Sequence, residues 1–300
     1  MKAGSPSLRE LVDPEARLER IATGLGFTEG PVWHRKMHAL LFSDIPRNVI
    51  HRWNEAGLSD FRRPSEMANG LTLDGQLRLI ACHHATSRVT RTELDGSVAV
   101  LASHWEGKEL TSPNDVVVRT DGSIYFTDPS YGRRGPNGVP RSPQLDFQGV
   151  YRVDPGGRLH LAYRGAFPAP NGLCFSPDES VLYVNDSEEG HIRRFQVTAA
   201  GTLQGGEVFF TEDGAGPEGV PDGMKCDELG NVWVCGPGGI WVISPEAEHL
   251  GIIEVPEKTT NLTWGGPDWR HLYITARHSV YRIATRVGSA PVPHLGLSPS

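Results

Sequence analysis

The 300-residue sequence lacks several features that mark common classes of protein. No apolar run approaches the roughly 18 residues that a membrane-spanning helix requires, and the first twenty residues hold no apolar segment of a secretory signal. The chain has 36 acidic and 29 basic residues, a net charge of -7, and no Lys/Arg cluster of the kind that binds nucleic acid. These absences favour a cytoplasmic protein, monomeric or dimeric, with no membrane or nucleic-acid partner.

Cysteine is scarce, and the sequence lacks the common catalytic motifs. The four cysteines include no C-x-x-C pair, so we expect small buried core residues in a reducing compartment rather than disulfides. The patterns G-x-S-x-G, H-E-x-x-H, G-x-x-x-x-G-K and strand-linked G-x-G-x-x-G are absent. A serine hydrolase, a zinc protease of that type and a nucleotide-dependent enzyme therefore have little support.

Helical patterns are also rare, whereas strand and turn signals are abundant. Only residues 7–20 could form a helix, and Pro14 interrupts them. The 35 glycines and 23 prolines separate short runs rich in Val, Ile, Tyr, Phe and Trp, as in "DVVVRTDGSIYFTD" and "LCFSPDESVLYVND". Each run is a strand, a tight turn with Asp or Gly, and a second strand. The chain is thus predicted to be all-β.

These hairpins repeat six times. The first strand of each unit opens on Asn, Asp or Glu, and the openings lie 39 to 57 residues apart. The openings are Glu29-Gly30, Asn69-Gly70, Asn114-Asp115, Asn171-Gly172, Asp222-Gly223 and Asn261-Leu262. Units of this length with four antiparallel strands predict a six-bladed β-propeller. A long β-sandwich or two small β domains would explain the strands but not the six openings in phase.

The last repeat lacks a fourth strand, and a spare strand lies at the other end of the chain. Residues 18–24, "LERIATG", precede the first unit and are predicted to complete the blade that contains 261–285. Such closure removes open sheet edges. We therefore expect residues 1–17 to be an extension and 18–300 to form a single propeller domain.

The six openings are predicted to meet at one end of the central channel. Alone, each Asn-Gly or Asp-Gly is an ordinary turn pair. A turn has no need of Glu29 or of the Asn114-Asp115 pair, so a shared role is favoured. Carboxylate and amide oxygens bind hard cations. A divalent ion is therefore expected, with Ca²⁺ favoured and Mg²⁺, Mn²⁺ or Zn²⁺ in an oxygen-rich site as alternatives. The openings contain no Cys or His, which argues against a tetrahedral zinc site with N and S ligands.

Several stretches resemble the senescence-marker-protein/gluconolactonase/regucalcin-like family, in particular its bacterial gluconolactonases. They are "EGPVW", "NGL", "SPNDVVVRTDGSIYFTDPSYG", "NGLCFSPDESVLYVND", "PDGMKCDELGNVWV" and "TNLTWGG". The resemblance spans roughly residues 18–285, and "SPND" through "DPSYG" is its most specific part. It implies a six-bladed propeller, hydrolysis of sugar lactones, and one divalent metal held by Glu29, Asn114, Asn171 and Asp222.

The resemblance leaves part of the substrate site open. In some members the residue at the Asn114 position contacts substrate or water rather than metal. Animal members carry an Arg two residues earlier, where this sequence has Ser112, so their substrate contacts do not transfer. Relatives act on other lactones or on organophosphorus fluorides.

The chemistry of lactone hydrolysis indicates the remaining candidates. A cation polarises the carbonyl, and water needs a base, for which Asp222 is favoured. His83 and His84, at the end of a second strand, are alternative bases or leaving-group donors; the other interpretation is that they are hydrogen-bonded loop residues. Asp128 and Tyr131, in "TDPSYG", are predicted to shape the substrate pocket with Asn114. Asp44 and Asp186, in equivalent positions, are expected to cap strands.

Three functions follow, with different consequences. The favoured one is metal-dependent hydrolysis of a small-molecule sugar lactone. The second is hydrolysis of other lactones, organophosphorus esters or fluorides at the same metal. The third is a non-catalytic propeller with structural calcium, which predicts a channel plugged by apolar side chains. Six polar openings are costly to bury without an ion or substrate, which favours an enzyme.

Overall fold

The strand-and-turn repeats fold into a ring of six antiparallel sheets. A computed structural model describes residues 6–165, 167–212 and 219–290. Within them each of the six sheets has four strands, and consecutive strands are neighbours in five of the sheets. The innermost strand of each sheet begins at or beside one of the six polar openings. The predicted six-bladed β-propeller is therefore confirmed.

The first three blades follow the chain in order from the inner to the outer strand. Their strands are β2 Thr28–His34, β3 Ala39–Asp44, β4 Val49–Asn54 and β5 Gly57–Arg62; β6 Ala68–Leu73, β7 Leu79–His83, β8 Arg88–Thr92 and β9 Val98–Ala102; and β12 Val116–Val118, β13 Ile124–Asp128, β14 Gly149–Val153 and β15 Leu159–Arg164. A small hairpin, β10 His104–Trp105 and β11 Lys108–Glu109, links the second blade to the third.

The last three blades continue the same order. Their strands are β16 Pro170–Phe175, β17 Val181–Asp186, β18 His191–Val197 and β19 Leu203–Thr211; β20 Met224–Cys226, β21 Val232–Gly236, β22 Gly239–Ile243 and β23 His249–Glu254; and β24 Thr259–Gly265, β25 His271–Ala276, β26 Ser279–Ala284 and β1 Glu19–Thr23. Three elements in the described residues are helical: α1 Leu8–Leu11 and single 3₁₀ turns at Arg35–Met37 and Tyr131–Arg133.

The N-terminal strand closes the ring, as the sequence predicts. β1 pairs antiparallel with β26, with Thr23 opposite Ser279, and their hydroxyl oxygens lie 3.1 Å apart. The short helix ahead of it buries Leu11 against the apolar core of the fifth and sixth blades. This pairing completes the sixth blade with a strand from the start of the chain and covers the edge of β26.

Apolar side chains fill the spaces between neighbouring blades. Trp233 of the fifth blade and Trp264 of the sixth are almost completely buried, and their rings pack edge to face with centroids 5.2 Å apart. All four cysteines are buried and free, as expected. Among the described residues, no helix is long and apolar enough to cross a membrane.

Side chains of one blade hold the opening of the next. The Ser43 hydroxyl donates to the carbonyl oxygen of Asn69 at 2.7 Å, and the Thr127 hydroxyl donates to that of Asn171 at 2.7 Å. The Asn185 amide donates in the same way to the carbonyl of Asp222. These buried bonds fix the backbone of the openings and therefore the direction in which their side chains leave it.

The glycine after an opening lets adjacent blades touch. Gly30 has φ +53°, and a Cβ there would lie 2.1 Å from the Asn69 carbonyl oxygen. A Cβ on Gly172 would lie 2.2 Å from the carbonyl oxygen of Asp222. The glycines of these Glu-Gly and Asn-Gly pairs are thus required by close backbone approach between blades, in addition to any turn preference.

Candidate active site

A polar cavity of about 280 Å³ lies at the end of the channel where the inner strands begin. Five of the six predicted openings contribute side chains to its wall: Glu29, Asn69, Asn114, Asn171 and Asp222. The sixth, Asn261, is adjacent, since its amide donates to Glu29 Oε2 at 3.0 Å. The sequence therefore predicted correctly that these distant residues meet.

A second, smaller cavity lies at the opposite end of the channel. It has a volume of about 120 Å³ and mostly apolar walls formed by the far ends of the same inner strands. It contains none of the five opening side chains. The side chains that could bind an ion or a substrate therefore lie at the polar end of the channel. Apolar side chains do not plug that end.

Glu29 is a buried carboxylate with few donors. Its Oε2 accepts hydrogen bonds from the backbone N–H of Gly30 at 2.7 Å and from the Asn261 amide at 3.0 Å. Burial raises the pKa of Glu29 well above its usual value, and repulsion by Asp222 and Asp115 raises it further. An ionised Glu29 in this position therefore needs a positive partner.

Asp222 lies on the same cavity wall and is 8% exposed. Burial raises its pKa from 3.8 to about 7. The nearby Lys258 ammonium and a hydrogen bond from the Asn171 amide lower the pKa in part, whereas Asp115 raises it. Two buried carboxylates whose proton affinity is raised by burial and by neighbouring acids form a site that favours a bound cation.

Asn114 and Asn171 place neutral oxygens beside these carboxylates. Both are buried, at 5% exposure each, and both line the cavity. The Asn171 amide nitrogen donates to the Ser187 hydroxyl at 2.9 Å, which leaves the amide oxygen as the group free to accept. The four residues predicted to bind metal are thus brought together in one cavity.

The donor set depends on these amides. No group of three or more His, Cys, Asp or Glu side chains that could hold a metal ion occurs in residues 6–165, 167–212 and 219–290. Two carboxylates with amide oxygens form an all-oxygen set, which suits Ca²⁺ or Mg²⁺ better than a tetrahedral zinc site.

His84 also lines the cavity, but both of its ring nitrogens are engaged. Nδ1 lies 2.7 Å from the carbonyl oxygen of Asn137, and Nε2 lies 3.0 Å from the amide nitrogen of Asn69. Burial lowers the pKa of His84 to about 4. A neutral ring that donates through Nδ1 accepts the Asn69 N–H at Nε2, so the lone pair a base would use is occupied.

His83 is not brought to the cavity. Its Nδ1 donates to the carbonyl oxygen of Ser65 at 2.9 Å, and its Nε2 accepts from the Thr90 hydroxyl at 2.7 Å. The side chain is 3% exposed and does not belong to the cavity wall. The geometry therefore favours the alternative interpretation of His83 as a hydrogen-bonded loop residue, which ties a loop to the second blade.

Asp128 likewise has a supporting role rather than a place in the pocket. Its two oxygens accept the backbone N–H groups of Thr111 and Ser112 at 2.8 and 2.7 Å, in the loop that leads to Asn114. Asp44 and Asp186, at the same position in other blades, accept loop N–H groups in the same way. Asp128 does not belong to the cavity wall and both of its oxygens accept from this loop, so the geometry favours a supporting role over the predicted substrate contact.

Tyr131 does reach the cavity, carried by the connection between β13 and β14. Residues 129–148 form this connection, and it also contributes Arg134 and Asn137 to the wall. Burial raises the pKa of the Tyr131 phenol to about 12, so it is neutral and can donate a hydrogen bond.

Lys258 and Asn137 are cavity residues that the sequence did not predict. Both line the cavity, but neither belongs to a repeated opening. Lys258 comes three residues before Asn261, in the segment entering the sixth inner strand. Lys258 could have been predicted from this position at the channel mouth. Asn137 could not, because its loop occurs only in the third blade and matches no repeat.

Known proteins share this architecture and these repeats. Residues 27–278 match the model of the family described as "SMP-30/Gluconolactonase/LRE-like region". The chain is 32% identical to a gluconolactonase of Zymomonas mobilis over 94% of this chain and 85% of the relative. It is 28% identical to a pentonolactonase of Haloferax volcanii, over 85% and 83% of the two chains.

A solved structure shows the same correspondence in three dimensions. The gluconolactonase XC5397 of Xanthomonas campestris is 33% identical and superimposes with a TM-score of 0.85, covering 93% of this chain and 92% of that one. The family match covers more than half of the chain and includes every opening from Glu29 to Asn261. The chain therefore belongs to the SMP-30/gluconolactonase/LRE-like family.

Proposed function

We propose that this protein hydrolyses sugar lactones with the help of one divalent cation, Ca²⁺ being favoured, held by Glu29, Asn114, Asn171 and Asp222. The observation that supports it most is the pair of buried carboxylates, Glu29 and Asp222, on one cavity wall: burial raises the pKa of both, and Asp222 raises that of Glu29 further. The names of the gluconolactonase and pentonolactonase relatives support the substrate class.

The residues present fit such an ion. Two carboxylates would balance a dication, and the amides of Asn114 and Asn171 add neutral oxygen donors. Without a cation, both acids are favoured in their protonated forms by burial, so ion binding would compete with protons. A divalent ion in this position would polarise the lactone carbonyl and stabilise the oxyanion that forms on it.

The side chains divide the remaining work. Asp222 orients the attacking water and accepts its proton, since it is the carboxylate on the cavity wall with Lys258 nearby. Tyr131 and Asn114 contact the substrate, with the neutral phenol as a hydrogen-bond donor. Lys258 lowers the pKa of Asp222 and attracts the carboxylate product that ring opening creates.

Hydrolysis of other lactones or of organophosphorus esters would use the same groups and is the second candidate within enzymes. A binding module with structural calcium is disfavoured by the open polar cavity, since its walls carry side chains suited to a polar ligand. We also propose a cytoplasmic location, for which the four free buried thiols are suitable.

A lactone panel tests this proposal. Metal-stripped protein is assayed with aldonolactones, simple lactones and an organophosphorus ester, then with Ca²⁺, Mg²⁺, Mn²⁺ or Zn²⁺ restored. We expect aldonolactone hydrolysis to disappear on stripping and to return with Ca²⁺. Metal-independent turnover of wild type, or turnover of the phosphorus ester alone, would contradict the proposal.

Variants assign the roles of the two carboxylates. Glu29→Gln should weaken metal binding, and Asp222→Asn should lower kcat by on the order of 10²-fold or more even at saturating metal. Asp227→Asn is the matched control, because Asp227 is completely buried in a turn of the fifth blade and is not part of the cavity wall. Full activity of metal-saturated Asp222→Asn would remove Asp222 from the base role.

A further inference from the structure

The wall formed by Asn69, His84 and Asn137 has no assigned role in lactone hydrolysis. These three residues come from the second blade and from the long connection of the third, and all three line the cavity. They are linked by two hydrogen bonds through the His84 ring. This hydrogen-bonded chain determines which atoms of the wall can contact a ligand.

The hydrogen bonds fix which way the Asn69 amide faces. His84 Nδ1 lies 2.7 Å from a carbonyl oxygen, which can only accept, so Nδ1 carries the proton. In the neutral ring Nε2 is then an acceptor, and the Asn69 atom 3.0 Å from it must be the amide nitrogen. The amide oxygen of Asn69 therefore faces away from His84.

That oxygen is left without a partner. Asn69 is 3% exposed, and its Oδ1 makes no hydrogen bond with any of the described residues. The side-chain Oδ1 of Asn137, on the same wall, is also buried and without a partner there. Buried acceptors without a partner are rare in native proteins, and an ordered water, an ion or a functional contact is the usual explanation.

We propose that Asn69 accepts a hydrogen bond from a ring hydroxyl of the substrate, and that His84 is a positioning residue that keeps the Asn69 amide oxygen available. This inference rests on the proposed lactone hydrolysis and deepens it. The ligand class is a polyhydroxylated lactone, because an unsubstituted ring has no O–H group to donate to this oxygen. His84 acts through Asn69 and touches no reacting atom.

The test compares a hydroxylated and an unsubstituted six-membered lactone, glucono-1,5-lactone and δ-valerolactone, at saturating Ca²⁺. Asn69→Leu keeps a similar side-chain volume and removes the amide. We expect it to lower kcat/KM for the hydroxylated lactone about tenfold more than for the unsubstituted one, the typical effect of one lost hydrogen bond. An equal loss on both lactones, or a matching loss of Ca²⁺ affinity, would overturn the inference in favour of a metal-binding role.

The matched control is Asn231→Leu. Asn231 is also buried, donates through its amide nitrogen to Asp227, and has an Oδ1 without a partner among the described residues. It lies outside the cavity wall, so its loss should leave the preference between the two lactones unchanged. A change as large as that of Asn69→Leu would mean that the preference reports general destabilisation.

His84 variants separate positioning from catalysis. His84→Phe should reduce the preference in the same direction as Asn69→Leu, and His84→Gln, which can still donate and accept, should restore part of it. Loss of turnover on both lactones in a folded, metal-bound His84→Phe protein would show a base instead. If His84→Phe does not fold, Asn69→Leu still decides the inference.

A binding measurement keeps this inference distinct from the proposed function. 1,5-Anhydroglucitol has the hydroxylated ring without a lactone carbonyl, and its binding to Ca²⁺-loaded protein needs no turnover. We expect Asn69→Leu to weaken that binding about tenfold. If wild type hydrolyses neither lactone but this difference remains, the proposed function fails and the assignment of Asn69 stands. If the difference is absent, the assignment fails.

Discussion

Removing the Asp222 carboxylate should stabilise the metal-free protein while it weakens ion binding at the site. The folded chain raises the pKa of Asp222 from 3.8 to about 7, mainly through burial. Because the folded state holds this proton more tightly than the unfolded state does, the free energy of unfolding falls as pH rises from about 4 to about 7. Asp222→Asn removes this dependence at the position.

The size of the effect follows from the two pKa values. Relative to a pH below 3, the raised pKa of Asp222 lowers the free energy of unfolding by about 4 kcal/mol at pH 8, where the folded group is ionised, and by about 2 kcal/mol at pH 5, where the folded state must hold its proton. The replacing amide must itself be desolvated, so we expect a net gain of about 1–3 kcal/mol for Asp222→Asn at pH 8. The gain should shrink by about 2 kcal/mol at pH 5.

Urea denaturation of chelator-treated protein at the two pH values measures this directly. With Ca²⁺ added at a concentration that saturates wild type but not the variant, the order should reverse, since wild type gains more binding free energy than the more weakly binding variant. Asp227→Asn is the control, because Asp227 accepts hydrogen bonds from Asn231 and Trp233 and its loss should destabilise with or without Ca²⁺. An Asp222→Asn protein that is less stable than wild type at pH 8 without metal would refute the electrostatic reasoning.

Three further substitutions probe the framework around the cavity. Asp128→Asn should cost about 1–3 kcal/mol of stability, measured by urea denaturation. Each carboxylate oxygen accepts one buried backbone N–H, and the substitution replaces one of these oxygens with an NH₂ group that cannot accept. Gly172→Ala should cost several kcal/mol, about 3 or more, and weaken Ca²⁺ binding in calorimetry, since its Cβ would lie 2.2 Å from the Asp222 carbonyl. His83→Phe should lower the melting temperature but leave kcat within about threefold at saturating metal, and an abolished kcat would restore His83 as a base.

Repetition made the fold and half of the site readable from the sequence. The six openings recur at the same point of each repeat, and this regularity predicted that Glu29 and Asp222 meet at one channel mouth although 193 residues separate them (222 − 29). The outer strand of the first blade, Gly57–Arg62, carried no comparable signal because its residues are mostly exposed. An edge strand with a solvent-exposed face has a weak pattern of apolar and polar residues.

Residues that act at a single blade could not be ranked in advance. His83 and His84 are adjacent in sequence, but their side chains leave the backbone in different directions. His83 therefore holds a loop, whereas His84 lines the cavity. Asp128 ends its strand as Asp44 does, and its role becomes clear only from the N–H groups that it accepts. Such roles depend on loop conformation, which no repeat specifies.

The pairing of β1 with β26 imposes an order on biosynthesis. Thr23 and Ser279, which meet in the sixth blade, are separated by 256 residues. At 5–20 residues per second, β1 waits on the order of 10–50 s for its partner to be translated. During that interval a strand edge stays unpaired and the cavity cannot yet be assembled, because Glu29 and Asn261 come from opposite sides of the same seam. The nascent chain is therefore expected to be most prone to chaperone capture before its last blade emerges, and ion binding should become measurable only afterwards.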